Sequence, residues 1–296
     1  MKRWGWLSLT ETRARMASKN YGIPYKGSKN KIAEKLLAVM PSAETFVDLF
    51  AGGCAMTHAA ILSGQYERFI INDIDPMPTQ CFMDAIAGKF RNEKRWISRE
   101  DFFRLKDTDA YVRYCFSFGN DGATYAYSRE IEPFMHMLHI LFFAETPYDR
   151  LQAWKPVCRE ILKWIDTGKR LTELRSAEAF YRLIALERLE RLQSLERLER
   201  LQSDYSSVVI PDNTVIYCDP PYKDSGLKNC YGDTSGFDFP RFYNWCERQT
   251  QPLFISEYDM PKDRFTCVFE IEKRCSMGTG NNKKTIERLY RPRSQL

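Results

Sequence analysis

The chain has 296 residues, enough for one large domain or for a catalytic domain with an insert, and it can bury a core without disulfides. Its 44 basic and 39 acidic residues give a formal charge of +5, which favours a polyanionic partner without requiring one. The nine cysteines include no Cys-x-x-Cys pair, so the sequence argues against both a disulfide framework and a zinc ribbon.

The amino-terminal residues 1–17 have a basic start but only a short apolar stretch, too short for a secretory signal. Nowhere does an apolar run approach the roughly 20 residues of a membrane span. We therefore expect an intracellular, cytoplasmic protein that begins with a short extension.

The first regular elements form an alternating pattern of helix and strand. In order, the spacing predicts a Gly/Ser/Lys turn (26–31), a helix (32–40), a strand (45–50), a glycine turn (51–53), a helix (55–62) and a strand (69–71). A strand, glycine turn, helix and strand make a βαβ unit, which implies a parallel sheet with a ligand site at the carboxyl ends of its strands.

The stretch from about residue 90 to residue 202 loses this alternation and is mostly helical in pattern, with a loop at 117–122. Near its end the sequence LERLERLQS occurs twice in tandem from Leu186. Leucine at every third position rotates by about 60° per step around an α-helix, so no coiled-coil seam results. We interpret the repeat as a linker or a core-flanking segment.

The α/β pattern then resumes. It predicts apolar residues at 208–210, a strand (214–218), a helix (239–248) and a strand (253–256). The basic end at 283–293 is compatible with a solvated tail or with contacts to phosphates, with a slight preference for DNA.

The strand at 214–218 ends in Asp219-Pro220-Pro221-Tyr222, which we predict to be a catalytic loop. An amine on an aromatic base is a poor nucleophile because its lone pair is delocalised into the ring. The Asp219 carboxylate and the Pro220 carbonyl can each accept one N–H of that amine, the prolines stiffen the loop, and Tyr222 offers a face for a flipped base. An isolated match of this kind can also be a simple strand end.

The glycine turn Phe50-Ala51-Gly52-Gly53 lets a cofactor approach the backbone closely. Asp73, at the end of the next strand, can bind ribose hydroxyls with its two oxygens. A strict G-x-G-x-x-G motif is absent, and an ordinary tight turn would explain the glycines alone.

Taken together, the chain resembles the Dam-type DNA adenine-N6 methyltransferases, which include many phage-encoded members. The resemblance lies in four pieces that occur in the family's order: Pro24-Tyr25-Lys26-Gly27-Ser28-Lys29, Asp48-Leu49-Phe50-Ala51-Gly52-Gly53, Asn72-Asp73-Ile74-Asp75 and Cys218-Asp219-Pro220-Pro221-Tyr222.

The resemblance implies S-adenosylmethionine as the cofactor. The residues it assigns to cofactor binding are Tyr25, Lys29, Phe50, Gly52 and Asp73, together with Asp204 by a weaker alignment. One departure is visible, since the family commonly has a glycine where this chain has Cys54.

We therefore predict a Rossmann-like α/β fold of the S-adenosylmethionine-dependent methyltransferase type with an inserted, mostly helical target-recognition domain. The predicted divisions are the extension 1–17, a catalytic domain of 18–90 and 203–296, and a DNA-binding insert of 91–202. The expected partner is double-stranded DNA, with no membrane and no metal, and the expected state is a monomer or weak dimer. The alternatives are N4-cytosine methylation and a catalytically silent DNA-binding module.

Overall fold

The computed structural model describes residues 21–166, 178–192, 195–222, 236–274 and 284–296. These contain one seven-stranded sheet with the order β3-β2-β1-β4-β5-β7-β6. The strands are β1 (Thr45–Asp48), β2 (Arg68–Asn72), β3 (Leu198–Leu201), β4 (Thr214–Cys218), β5 (Leu253–Glu257), β6 (Phe265–Arg274) and β7 (Lys284–Pro292).

The five strands from β3 to β5 are parallel, and β7 runs antiparallel to both β5 and β6. Every residue of β1 and β4 is buried, which is why both strands are continuous runs of mostly apolar residues without alternation. The order of the strands reverses between β1 and β4, and this switch point is where open α/β sheets bind ligands. The fold is therefore the Rossmann-like α/β fold that the sequence predicts.

Helices cover the sheet and fill the stretch between β2 and β3. They are α1 (Ala33–Leu37), α2 (Ala55–Ser63), α3 (Pro76–Ile86), α4 (Arg99–Leu105), α5 (Ala110–Cys115), α6 (Glu132–Phe143), α7 (Pro147–Asp166), α8 (Glu178–Leu189) and α9 (Phe239–Glu247). In the part of the chain that the structure describes, no helix is both long and apolar enough to cross a bilayer.

The helical stretch shares its core with the sheet. Phe102, Tyr111 and Leu186 belong to the same buried cluster as Phe46 and Phe82. A target-recognition unit in this stretch would therefore be packed directly on the catalytic fold, and its boundaries at 91 and 202 stay a prediction.

The two copies of the nine-residue repeat adopt different structures. The first copy continues α8 to Leu189 and then forms a 3-10 turn at Glu190–Leu192. The second begins with a 3-10 turn at Leu195–Arg197 and continues as β3, which pairs in parallel with β2. Strand β3 of the sheet therefore lies before residue 203, inside the stretch predicted to be the insert. Pairing with β2 overrides the local helical preference of the second copy.

The basic carboxyl-terminal segment is a strand within the sheet, so the interpretation as a solvated tail is wrong for residues 284–292. Leu289 and Tyr290 of β7 are adjacent and point to opposite faces of the sheet, and both are buried because each face packs against one of two apolar clusters. Residues 208–210 form no strand, and Val209 is 84% exposed.

The buried leucines of the first repeat copy should carry much of the stability of the helical stretch. Leu189 is fully buried, so Leu189→Ala should lower the free energy of unfolding by about 2–5 kcal/mol through lost burial and a new cavity. The matched control is Leu62→Ala in α2, where the side chain is 61% exposed and the expected change is within about 0.5 kcal/mol. Urea unfolding measures both, and equal effects would contradict the assigned packing.

Candidate active site

A cavity of about 410 Å³ lies at the carboxyl ends of β1, β2 and β4. All ten residues that the sequence singles out line this one cavity: Tyr25, Lys29, Phe50, Gly52, Asp73, Asp204, Asp219, Pro220, Pro221 and Tyr222. Residues that are distant in sequence therefore meet at one site, while the role of each remains a prediction.

The glycine turn after β1 is packed against the segment that precedes α1. The Ile23 amide donates a hydrogen bond of 2.8 Å to the Gly53 carbonyl. A Cβ atom on Gly53 would lie 2.4 Å from Cβ of Tyr25, and one on Gly22, which has a φ of +70°, would lie 2.2 Å from the Gly53 oxygen. The glycines are thus required by the close approach of two backbone segments.

Cys54 occupies the position where the family commonly has glycine, and it has the backbone conformation that glycine favours. Its φ and ψ are 57° and 33°, in the left-handed region, and its side chain is buried. A non-glycine residue in this region costs about 1–2 kcal/mol. The turn still closes, since the Cys54 amide donates to the Ala51 carbonyl at 2.6 Å, so the substitution leaves the loop geometry intact.

His58 in α2 holds the amino-terminal segment in place. Its Nδ1 accepts a hydrogen bond of 2.9 Å from the Gly22 amide, which fixes the proton of the neutral ring on Nε2. The edge of the Tyr21 ring packs against it, with ring centroids 5.3 Å apart. Burial lowers the pKa of His58 to about 4. The sequence analysis gave this residue no role, because only the fold brings it to Gly22.

Asp73 connects the end of β2 to the glycine turn. Its Oδ2 accepts from the Gly52 amide at 2.8 Å and its Oδ1 accepts from the Asp75 amide at 3.0 Å. Burial raises the pKa of Asp73 despite these hydrogen bonds. Each carboxylate oxygen can accept a further bond, so the side chain is equipped to bind a pair of hydroxyls in the cavity.

The preceding residue, Asn72, joins three segments through its side-chain amide. Its Nδ2 donates to the carbonyls of Leu49 and Ser203 at 3.1 and 3.0 Å, and its Oδ1 accepts from the Ser203 amide at 3.0 Å. The loop after β3 is thereby fixed beside the glycine turn. Asn72 belongs to a motif recognised in the sequence, but its bonding partners could not be predicted from local pattern.

Asp204 lies in this loop and is already heavily bonded. Arg241 donates two hydrogen bonds to it, of 3.1 and 2.9 Å, and the Ser206 amide donates a third of 3.0 Å. Burial acts to raise the pKa of Asp204, but the bonds from Ser206 and Arg241 lower it below its ordinary value. Little acceptor capacity remains, so the predicted contact of Asp204 with the cofactor's adenine would compete with Arg241.

The wall beside Asp204 is aromatic. The Phe50 ring packs against Tyr205, Phe242 and Phe237, with centroid distances of 5.4, 5.6 and 5.9 Å. These rings give the cavity an apolar side next to its polar strand ends, a combination that suits a ligand with a flat ring system.

Asp48, at the end of β1, is an acidic residue in the wall of the cavity. It belongs to a motif recognised in the sequence, but the motif predicts no role for it. Its Oδ2 accepts from the Thr57 hydroxyl at 2.8 Å, whereas its buried Oδ1 has no hydrogen-bond partner among the described residues. Burial raises the pKa of Asp48 to about 7. A carboxylate with an open acceptor on the cavity favours a cationic or hydrogen-donating ligand.

In the predicted catalytic loop, the two oxygens of Asp219 differ. Oδ2 accepts from the Lys29 ammonium at 2.6 Å, and Oδ1 is buried with no partner in the part of the chain that the structure describes. Burial raises the pKa of Asp219, the Lys29 charge opposes this, and a second carboxylate at Glu287 adds to it. One oxygen is therefore held by the protein while the other is left to accept from a ligand.

Tyr222 is held on several sides. Its hydroxyl donates to Glu287, its ring packs edge to face with Tyr258 at 4.6 Å, and the Lys29 nitrogen lies 4.9 Å from its ring centroid. The side chain is only 4% exposed. A base that stacks on Tyr222, as the sequence predicts, therefore requires a rearrangement of these neighbours.

Within the described ranges, no group of three His, Cys, Asp or Glu side chains is placed to hold a metal ion. His136 and His139, spaced as a metal pair would be on α6, instead pack their rings on Trp96 at 4.8 and 5.5 Å.

A protein family model matches the part of the chain that contains the predicted site residues. The family model described as D12 class N6 adenine-specific DNA methyltransferase matches residues 25–241, which include all the predicted site residues. A search of curated protein sequences finds no match.

Comparison with solved structures finds methyltransferases at low similarity. A protein described as an RNA methyltransferase from Pyrococcus horikoshii aligns with a TM-score of 0.40 and 9% identity, over 97% of this chain and 98% of that chain. An rRNA methyltransferase from Streptomyces viridochromogenes aligns with a TM-score of 0.36 and 13% identity, over 88% and 82%. TM-scores of this size do not establish that these proteins share the fold of this chain. The fold assignment rests on the sheet order described above.

The buried His58 predicts a pH dependence of stability. Because its pKa falls from 6.5 to about 4 on folding, the unfolded chain takes up a proton before the folded chain does. The stability it contributes is present above pH 6.5 and is lost as the pH falls towards 4, by about 3 kcal/mol in all.

His58→Gln keeps a carbonyl that can accept from the Gly22 amide but does not titrate. Between pH 6.5 and 4, the free energy of unfolding of this variant should therefore fall less, or rise more, than that of the wild type. Urea unfolding across this range tests the difference, and parallel curves for the two proteins would contradict a buried, neutral His58.

Proposed function

Because this chain belongs to the D12 class N6 adenine-specific DNA methyltransferase family, we propose that it transfers a methyl group from S-adenosylmethionine to the N6 amine of adenine in double-stranded DNA. The observation that carries the proposal is the buried Oδ1 of Asp219, which has no hydrogen-bond partner among the described residues and lies on the same cavity as the glycine turn. One wall thus offers an acceptor for an amine, and the adjoining wall permits close approach of a cofactor.

The composition of the cavity fits this cofactor, which carries a sulfonium and an ammonium group. Five aspartates line the cavity, at 48, 73, 204, 219 and 238, and the Oδ1 atoms of Asp48 and Asp219 are buried without partners in the described ranges. Unpaired buried acceptors are costly unless a ligand satisfies them. A cation with hydrogen-bond donors is the kind of ligand that would do so.

We assign the cofactor-binding residues by position on this cavity. Asp73 would accept from the ribose hydroxyls, Phe50 would pack against a ring, and Gly52 would allow close contact with the backbone. Tyr25 and Lys29 would complete the wall that faces the catalytic loop. Asp204 would contact the adenine of the cofactor through its remaining acceptor capacity or after Arg241 moves.

When bound, the cofactor would supply an electrophilic methyl group, whose carbon would bond to the N6 lone pair while the electron pair of the carbon–sulfur bond would stay on sulfur. Asp219 Oδ1 and the Pro220 carbonyl would each accept one N–H of the target amine, which turns the lone pair towards the methyl group. Positive charge then develops on N6, and the Asp219 carboxylate stabilises it and accepts the proton that N6 finally loses.

The target adenine must leave the duplex to reach this loop, since Asp219 lies inside a cavity that a stacked base pair cannot enter. We propose that the helical stretch within 91–202 contacts the DNA around the flipped base. Its direct packing on the catalytic core would keep the bound duplex in a fixed relation to the cavity. The net charge of +5 favours such a polyanionic partner.

Methyl transfer from labelled S-adenosylmethionine to unmethylated genomic DNA, followed by digestion to nucleosides, tests the proposal. The wild type should place label in N6-methyladenine. Asp219→Ala removes both the hydrogen-bond acceptor and the charge, so it should lower kcat by about 100-fold or more. The matched control is Asp212→Ala, an exposed aspartate at the opposite end of β4, which should keep the wild-type rate.

The products separate the alternatives. Label in N4-methylcytosine would move the enzyme to cytosine chemistry. Binding of the cofactor and of DNA without transfer to any base would contradict the proposed function and support a silent binding module. Equal rates for Asp219→Ala and Asp212→Ala would contradict the assignment of the catalytic loop.

A further inference from the structure

Glu287 is a buried carboxylate beneath the catalytic loop. It lies on β7, is 1% exposed, and stands outside residues 25–241, which the family model matches. The sequence analysis placed it in the basic end of the chain and gave it no role. Its position follows from the insertion of β7 between β5 and β6, which brings the end of the chain to the strand ends of the sheet.

Two catalytic-site residues contact this carboxylate. Its Oε1 accepts a hydrogen bond from the Tyr222 hydroxyl and lies 3.6 Å from the Lys29 ammonium. The same ammonium lies 2.6 Å from Oδ2 of Asp219. Lys29 therefore stands between two carboxylates, one in the catalytic loop and one on β7.

The charges in this cluster do not balance. Lys29 and Asp219 alone would form a neutral pair, and the carboxylate of Glu287 gives the three residues one excess negative charge. This excess charge carries a desolvation cost, which the contacts of Glu287 with Lys29 and Tyr222 offset. It favours a reaction in which positive charge develops on a neutral amine a few ångströms away, since the attraction grows as the charge appears.

We propose that Glu287 is a positioning residue for methyl transfer: it orients Lys29 and Tyr222 and supplies the negative charge that lets Asp219 stabilise the cationic amine. This inference rests on the proposed function. By holding Lys29 on Oδ2, the arrangement leaves Oδ1 of Asp219 for the target amine. By holding the Tyr222 hydroxyl, it fixes the ring that adjoins the same space.

A purely structural role would be to secure β7 against the catalytic loop through the Tyr222 hydroxyl. Glu287→Gln separates the two roles, because the amide keeps the shape and an oxygen that can accept from Tyr222 but carries no charge. The matched control is Glu270→Gln on β6, where the side chain is 63% exposed and pairs at the surface with Arg288.

We expect Glu287→Gln to lower kcat by about 10- to 100-fold, with KM for both substrates and the midpoint of thermal unfolding nearly unchanged. Glu270→Gln should match the wild type. Glu287→Asp, which keeps the charge on a shorter side chain, should recover part of kcat.

The pH profile of kcat provides a readout that a structural role would not move. Asp219 must be ionised to accept from the amine, and the like charge of Glu287 raises its pKa, while Lys29 lowers it. Tyr222, Tyr217, Tyr25 and Asp48 also face Asp219 but are unchanged in the variant. The acidic limb of the profile should therefore shift to lower pH in Glu287→Gln.

Wild-type kcat and an unshifted acidic limb in Glu287→Gln would overturn the inference while leaving the proposed function intact. If Glu287→Gln lowers kcat, cofactor binding and thermal stability together, and the acidic limb again does not shift, the result would also overturn the inference in favour of a structural role. A wild-type enzyme that labels no DNA would contradict the proposed function, and this inference with it.

Discussion

The ion pair between Lys29 and Asp219 joins positions 190 residues apart in the chain, and the architecture of the cavity depends on it. The Lys29 side chain is 4% exposed, so its charge cannot be left without a partner at that depth. The segment before α1, the end of β4 and strand β7 must therefore assemble together.

Around this pair, buried polar side chains bind the backbone of neighbouring segments. Asn72 connects the glycine turn to the loop after β3, Asp73 bonds the Gly52 amide, and His58 bonds the Gly22 amide. Each bond satisfies a group that the fold has removed from water and fixes one segment relative to another. Protein contacts alone therefore hold these segments of the cavity wall, which reduces the entropy that ligand binding must cost.

The parts of the structure that the sequence predicts are those with a local cause. Strands β1, β2, β4 and β5 are short apolar runs that end at turns, so their residue types nearly suffice to place them. The motif residues were found because turn glycines and a prolyl loop follow those strands directly. Cys54, which departs from the family pattern, also has a local cause, because the turn imposes its backbone conformation.

The parts that the sequence does not predict depend on distant partners. Strand β7 has too many charged residues to resemble a core strand, and only its place between β5 and β6 buries residues on both of its faces. Glu287 is one acidic residue in a basic segment until the sheet brings it to Lys29. The same holds for β3, whose residues are identical to those of a stretch that forms the end of α8 and a 3-10 turn.

Because the two copies are identical, another segment of the chain has the same sequence as the edge strand β3. Because leucine recurs at every third position, sliding β3 by three residues along β2 would present nearly the same amino acids to its neighbour, and sliding by nine would present the other copy. After either displacement each position of the strand would carry nearly the same residue type as before, so the alternation of the pleat does not distinguish these registers. The bonds between Asn72 and Ser203, which a displacement by three residues would break, therefore favour the observed register.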